Sequence, residues 1–168
     1  MYSTFNGFYM RQATADDTDN YYDGNYSPMD REVKILTGTE KDFTEEEVKS
    51  FFLKCLNTDR YDFLILSPDR KVIGESVINE IDRDAKKANF RIALFHSEYF
   101  GKGLGSWAAE KTIEFAFTEC GLKTLELSVF TFNFRAIRLY EKLGFTVTER
   151  DGDELIMELS ADNRNKII

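Results

Sequence analysis

The chain has 168 residues, 42% hydrophobic and 14% aromatic, with a formal net charge of −8. Such length and apolar content suit one packed domain and exclude a disordered chain. The acidic balance excludes a general nucleic-acid binder, whose phosphate contacts need a basic face, and leans towards a cationic partner. The two cysteines, Cys55 and Cys120, show no metal or redox spacing and sit in apolar helical patterns, as buried free thiols in a reducing compartment do. The N-terminal MYSTFNGFYMRQATADD has no basic segment followed by an apolar run, and no apolar stretch approaches the length of a membrane span. The expectation is a soluble cytoplasmic protein with no membrane partner.

In chain order, Phe8–Thr14 reads as a short first strand, and Thr14 with the acidic ADD after it begins a helix. Asn20–Pro28, rich in Tyr, Asp, Asn and Gly, reads as an irregular loop. Thr44 and Glu47 form a capping box opening the helix DFTEEEVKSFFLKCL, with Val48, Phe51, Phe52 and Cys55 on its apolar face. Strands follow at Tyr61–Ser67 and Lys71–Ile81, around a turn at Pro68-Asp69-Arg70, and at Ala88–Phe95, where Phe90, Ile92 and Leu94 share a side. Leu104–Cys120 is a long helix with Ala109, Ile113, Ala116, Phe117 and Cys120 at helical spacing, ended by Gly121. Leu125–Phe130 is a strand. NFRAIRLYEKLGF is a shorter helix with Ala136, Leu139, Tyr140 and Leu143 inward, closed by Gly144. TVTER and ELIMEL make a final hairpin around Asp151-Gly152-Asp153. Residues 1–168 form a single domain without repeat or linker, and 160–168 reads as a frayed tail. The order β-α-α-β-β-β-α-β-α-β-β is an α+β pattern: an antiparallel run, then a βαβ-like crossover.

The chemistry concentrates in EYFGKGLGSWAAEKTIEFAF, where Gly101, Gly103 and Gly105 fall between a strand and a helix. A turn needs one glycine; three at alternate positions favour an anion cradle of backbone N–H groups at the helix N-terminus. The spacing is neither the dinucleotide fingerprint nor a Walker loop. Beyond the next strand come Asn133, Ala136, Tyr140, Gly144 and Phe145. Taken singly, Asn133 is an N-cap, Tyr140 a core aromatic and Gly144 a helix stop.

Together the two segments resemble the acyl-CoA core of the GNAT acetyltransferase superfamily. Its [QR]-x-x-G-x-[GA] is similar to FGKGLG here, and its N-x-x-A-x-x-x-Y-x-x-x-G-F is matched in full. The resemblance covers Arg60 to Glu158, and the N-terminal part by element order. It leans towards the branch of ribosomal-protein alanine and spermidine acetyltransferases. Phe100 stands where the family has Gln or Arg.

The resemblance implies a mixed, mostly antiparallel twisted sheet flanked by helices, with acyl-CoA at a splayed central strand pair. It implies acetyl-CoA as cosubstrate, no metal, and direct attack by an amine in a ternary complex. The acceptor is a peptide N-terminus, a polyamine or another small cationic amine; a homodimer is left open. On this basis the backbone from Gly101 through Lys102, Gly103, Leu104, Gly105 and Ser106 holds the pyrophosphate, with Asn133 and Ala136 beside it. A backbone N–H near Leu94–Phe95 polarises the thioester carbonyl, and Tyr140 is the general acid.

The family's base position, a glutamate in many relatives, is Asn89 here. Glu75, Glu80 and Asp82 are substitutes that also read as solvated strand carboxylates. His96, the only histidine, has the right pKa class but also reads as a polar loop residue. Glu75, Glu80, Asp82 and Asp84 together suggest an acidic approach for a cationic amine. A catalytically silent CoA-binding regulatory domain is the alternative: Asn89 keeps it open and Tyr140 argues against it. A generic nucleotide-binding module is disfavoured by the absent Walker and Rossmann spacings.

Overall fold

The computed structural model describes residues 1–164. Its strands are β1 (Tyr2–Phe5), β2 (Phe8–Gln12), β3 (Tyr61–Leu66), β4 (Val72–Asp82), β5 (Lys87–Leu94), β6 (Thr124–Phe130), β7 (Thr146–Asp151) and β8 (Glu154–Ser160). The helices are α1 (Thr18–Asn25), α2 (Arg31–Leu36), α3 (Glu45–Cys55), α4 (Leu104–Thr118), α5 (Phe134–Lys142) and α6 (Ala161–Arg164). One eight-stranded sheet runs β1-β2-β3-β4-β5-β6-β8-β7. Every pairing is antiparallel except β5 with β6, which is the expected crossover through α4.

The parallel pair is short. β5 and β6 are in register only from Lys87↔Thr124 to Asn89↔Glu126, although β5 continues to Leu94 and β6 to Phe130. Beyond Asn89 the two strands part, and the sheet opens a gap at its centre.

Two apolar clusters clamp the sheet. On one face Phe63, Ile78, Phe90 and Leu127 pack with Leu104, Trp107 and Ile113 of α4 and with Tyr140 of α5. On the other, Leu64, Leu66, Val72 and Phe95 pack with Tyr21 of α1 and with Val48 and Phe52 of α3. The capping box of α3 is present: Thr44 accepts from Glu47 N–H, and Glu47 accepts from Thr44 N–H at 2.8 Å. Its expected apolar face is corrected at Phe51, which is 62% exposed; α3 turns Val48, Phe52 and Cys55 inward.

Three parts of the N-terminal half differ from the sequence reading. β1 precedes the expected first strand and pairs with β2 through a turn in which Asn6 and Gly7 both have positive φ, 48° and 84°. That is the chirality a two-residue hairpin needs, and Asn-Gly supplies it. The expected loop from Asn20 is instead the greater part of α1, a helix built from weak helix formers. Tertiary contacts hold it: Tyr21 stacks on Phe52 at 4.5 Å, and Asn20 accepts from Val72 N–H at 3.0 Å. α2 was not foreseen either; Asp30 caps it by accepting from Glu32 and Val33 N–H.

At the other end, Ser160 closes β8 and α6 follows, so the frayed tail does not begin at 160; its remainder, 165–168, lies outside the described residues. Cys55 is buried and Cys120 only half-buried; both are free thiols, and burial pushes both upward in pKa. No helix among the described residues is long and apolar enough to cross a membrane.

Gly24 is where α1 touches β4 most closely. A Cβ there would stand 2.0 Å from the Val72 carbonyl oxygen, a backbone atom with no room to yield. Gly24→Ala is expected to lift α1 from the sheet and cost about 1–3 kcal/mol. A thermal midpoint lowered by several degrees, read by circular dichroism, checks it.

Candidate active site

A cleft of about 680 Å³ lies at the gap between β5 and β6. Residues from both faces of β5 line it, Phe90, Ile92 and Leu94 from one and Arg91 and Ala93 from the other, so the cleft passes through the sheet. The glycine loop and α5 wall one side; Val33 and Leu36 of α2 and Thr37 just after it wall the other.

The loop is built as a cradle. Gly101 and Gly103 have φ of +73° and +80°, in the left-handed region where a side chain is strained. The first main-chain bond of α4 is Trp107 N–H to Gly103 C=O, at 3.0 Å. The amides of Leu104, Gly105 and Ser106 therefore have no acceptor within the helix and sit at its positive end. From below, Phe5 of β1 stacks on Trp107 at 5.6 Å and lies against Gly103. Gly101, Gly103, Gly105 and Ser106 line the cleft, whereas Lys102 and Leu104 do not. Leu104 is a core side chain and Lys102 is exposed with its ammonium 5.6 Å from the Tyr99 ring, so these two offer only main chain. Where the family pattern has Gln or Arg, a cation stands beside the site instead: the Arg135 guanidinium lies 4.2 Å over the Phe100 ring.

Asn133 spends its side-chain oxygen on the cap of α5, accepting from Ala136 N–H at 3.3 Å. Both residues line the cleft. Tyr140, one turn beyond Ala136, is 7% exposed, with its ring between Phe90 and Phe145. Burial alone pushes its phenol up to about 12.

The strand-edge amide resolves to one residue. Phe95 N–H is already bonded to Ile73 C=O at 2.8 Å, and its side chain is buried in the opposite cluster. Successive amides alternate direction along a strand, so Leu94 N–H points away from β4, into the gap.

The proposed bases lie on the strand where the sequence reading put them, β4, but none of them lines the cleft. Glu75 is 7% exposed and spent: one carboxylate oxygen accepts from Arg91 at 2.9 Å, the other from the Tyr21 hydroxyl at 3.0 Å. Glu80 is exposed at the far end of β4. Gly74 pairs with Leu94 and Asn79 with Asn89, so Glu80 lies about 20 Å along the ladder from Leu94. Asp82, the last residue of β4, and Asp84, in the turn to β5, are further still, and Asp82 accepts from Ala85 N–H. The acidic approach is therefore corrected: its members do not edge the cleft. His96 donates from Nε2 to the Gly24 carbonyl at 2.8 Å, tying the loop to α1, since a carbonyl oxygen only accepts. Asn89 donates to Asn79 at 2.8 Å and serves the closed end of the gap.

What the cleft does contain was missed. Glu154 of β8 is the only carboxylate among its described lining residues, against four cations: Arg91, Arg135, Arg138 and Lys142. Glu154 pairs with Phe130 and accepts from the Ser128 hydroxyl. The register Asn89↔Glu126, continued along both strands, sets Phe130 and Glu154 level with Ala93, next to Leu94. No local motif marks Glu154; its place follows from β8 lying between β6 and β7. Arg91 was legible in principle, two residues from Asn89 on the same strand face.

Comparison with known proteins agrees with the geometry. A family model described as an acetyltransferase (GNAT) domain matches residues 8–146. The spermidine N(1)-acetyltransferase of Escherichia coli (strain K12) is 32% identical over 120 residues, 71% of this chain and 57% of that relative. The SPbeta prophage-derived uncharacterized N-acetyltransferase YokL of Bacillus subtilis (strain 168) is 33% identical over 54% of this chain and 50% of its own. The chain thus spans only about half the length of these curated relatives. Among solved structures, a ribosomal-protein-S5-alanine acetyltransferase from Vibrio fischeri superposes with a TM-score of 0.83 at 19% identity, covering 97% of this chain and 98% of that one. A Vibrio cholerae spermidine N-acetyltransferase in complex with CoA and spermine gives 0.82 at 20% identity, covering 96% and 99%. The fold is the one these structures share.

Proposed function

This chain belongs to the GNAT acetyltransferase family, and from that premise we propose that it transfers an acetyl group from acetyl-CoA to the nitrogen of an amine. One observation carries the reading: Gly105 and Ser106 at the unpaired helix end, Leu94 at the strand edge, Tyr140 and Glu154 all line a single cleft through the sheet. Acetyl-CoA brings the activated acetyl as a thioester. The three helix-end amides bind the pyrophosphate; Arg135, Arg138 and Lys142 on the facing helix add positive charge for the cofactor's phosphates. The Leu94 N–H polarises the acetyl carbonyl as negative charge grows on its oxygen. Tyr140 donates a hydrogen bond to the departing sulfur. Glu154, directly or through a water, takes the proton that the attacking ammonium must lose; the second proton leaves the nitrogen as the C–S bond breaks and passes through water to the CoA thiolate.

The spermidine N(1)-acetyltransferase activity printed for the Escherichia coli relative supports an amine acceptor. The silent CoA-binding alternative is weakened by a tyrosine and a carboxylate both lining the cleft, since phosphate binding uses neither.

Thiol release from acetyl-CoA with a panel of amines tests the reading, and Gly103→Val tests its cradle. Valine at φ +80° is strained, and its Cβ would stand 3.3 Å from the Phe5 ring. The variant is expected to bind acetyl-CoA at least about tenfold more weakly by calorimetry, while circular dichroism stays native; unchanged affinity would remove the cradle.

A further inference from the structure

The inference concerns the acceptor and rests on the acetyl-transfer reading. On the face of the sheet covered by α1 and α3, Lys87, Asn89, Arg91 and Ala93 of β5 alternate with the core-facing residues. Glu126 and Ser128 of β6 share that face, because Lys87 bridges Glu126 and Glu158 at 2.7 and 2.6 Å. Continuing the register by two residues sets Arg91 opposite Ser128, across the opened gap. Glu154 stands next to Ser128, through the hydroxyl it accepts from. The acceptor end of the cleft is thus flanked by a guanidinium on one strand and a carboxylate beyond the other.

Arg91 is built to present its charge. Behind it, Glu75 is buried and holds one guanidinium nitrogen at 2.9 Å, while the Tyr21 hydroxyl fixes the other oxygen of that carboxylate. The Glu75 charge holds Arg91 further above its usual range, and burial with Glu75 beside it keeps the Tyr21 phenol protonated. Only that one guanidinium nitrogen has a partner among the described residues; the side chain is half exposed and lines the cleft. A cationic amine drawn to Glu75 would first have to displace Arg91.

We propose that Arg91 selects the acceptor: an amine carrying an anionic group, carboxylate or phosphate, within a few bonds of its nitrogen. Arg91 takes the anion through its free N–H groups while the nitrogen lies between Glu154 and the Leu94 amide. Arg91 and Leu94 are three residue steps apart, about 10 Å along the strand, a span that a small amino acid or phosphorylated amino sugar and the arginine side chain cover together. Glu75 and Tyr21 are positioning residues for this grip.

Matched pairs test it in the wild-type enzyme: an amino acid against its amide (leucine and leucinamide), glucosamine 6-phosphate against glucosamine, with spermidine as the cationic reference. The anionic member of at least one pair is expected to show kcat/KM about 10- to 100-fold higher than its neutral partner, the scale of a charge-assisted hydrogen bond. Which pair responds separates carboxylate from phosphate. Arg91→Gln should collapse that ratio towards one, and Arg91→Lys should restore part of it. Because Arg91→Gln strands the buried Glu75, Arg91→Gln with Glu75→Gln is measured beside it, and the same collapse is expected. Ratios near one in the wild type, or spermidine above every anionic amine, overturn the inference and leave acetyl transfer standing. If no amine releases thiol from acetyl-CoA that calorimetry shows to be bound, the acetyl-transfer reading falls, and this one with it.

Discussion

Tyr140→Phe is expected to lower kcat by about 10²-fold while leaving the KM for acetyl-CoA within about twofold. Tyr140 projects from α5 into the cleft, with its ring held by Phe90 and Phe145, and phenylalanine keeps those ring contacts. The change therefore removes one donor and little packing, and the thermal midpoint should not move. Burial sets the manner of its action. With the phenol pushed up to about 12, against about 8.5 for a free thiol, complete proton transfer to the leaving sulfur is uphill by more than three units. On the proposed mechanism Tyr140 would therefore act as a hydrogen-bond donor that stays protonated rather than as a full acid. The sign follows: a group with a raised pKa keeps its proton at every pH below that value. Neither wild type nor Tyr140→Phe should show an alkaline limb from this residue below about pH 11. A kcat within about twofold of wild type, with product release shown to be fast, would reduce Tyr140 to a core aromatic.

The legible parts of the molecule are those whose physics is local. The apolar spacing of α4 up to Phe117, the left-handed glycines before it and the Asn133 cap of α5 are written in short segments, and the structure has each of them, although α4 ends at Thr118, short of Cys120. α1 is not local. TDNYYDGN is a poor helix by propensity, and it forms because Tyr21 packs on Phe52 and Phe95 and because Gly24 lets the backbone meet Val72. The charged residues show the same divide. Glu75, Glu80, Asp82 and Asp84 are neighbours in sequence, but an extended strand carries its residues apart by about 3.3 Å each and alternates their faces. One of the four is consequently locked under Arg91, and the others stand beyond the closed end of the gap. Glu154, sixty residues beyond the end of β5, reaches the cleft because β8 inserts between β6 and β7. Strand order of that kind is a property of the folded sheet.

Glu154→Gln carries the second large expected effect, a fall in kcat/KM of about 10²-fold or more near pH 7. An alkyl ammonium with pKa about 10.4 is neutral in well under one part in a thousand at that pH, so the amine has to lose its proton on the enzyme or arrive without it. Glu154 is the only carboxylate lining the described cleft, level with the strand end where Leu94 N–H faces the gap. Two strand spacings, about 10 Å, separate β8 from β5 even before the splay, which leaves room for the acceptor nitrogen and a water between them. Glutamine preserves the shape, and its amide oxygen still accepts from Ser128, but it takes no proton. The loss should therefore appear mostly in kcat, whereas a carboxylate that merely attracts the ammonium would show its removal mostly in KM. The pH dependence sharpens the distinction. As pH climbs towards the acceptor's own pKa, solution supplies the neutral amine, and the deficit of Glu154→Gln should shrink steadily, closing at the acceptor pKa. A deficit constant across that range, with kcat unchanged, would leave Glu154 an electrostatic neighbour of Ser128 and return the search for the base to ordered water in the cleft.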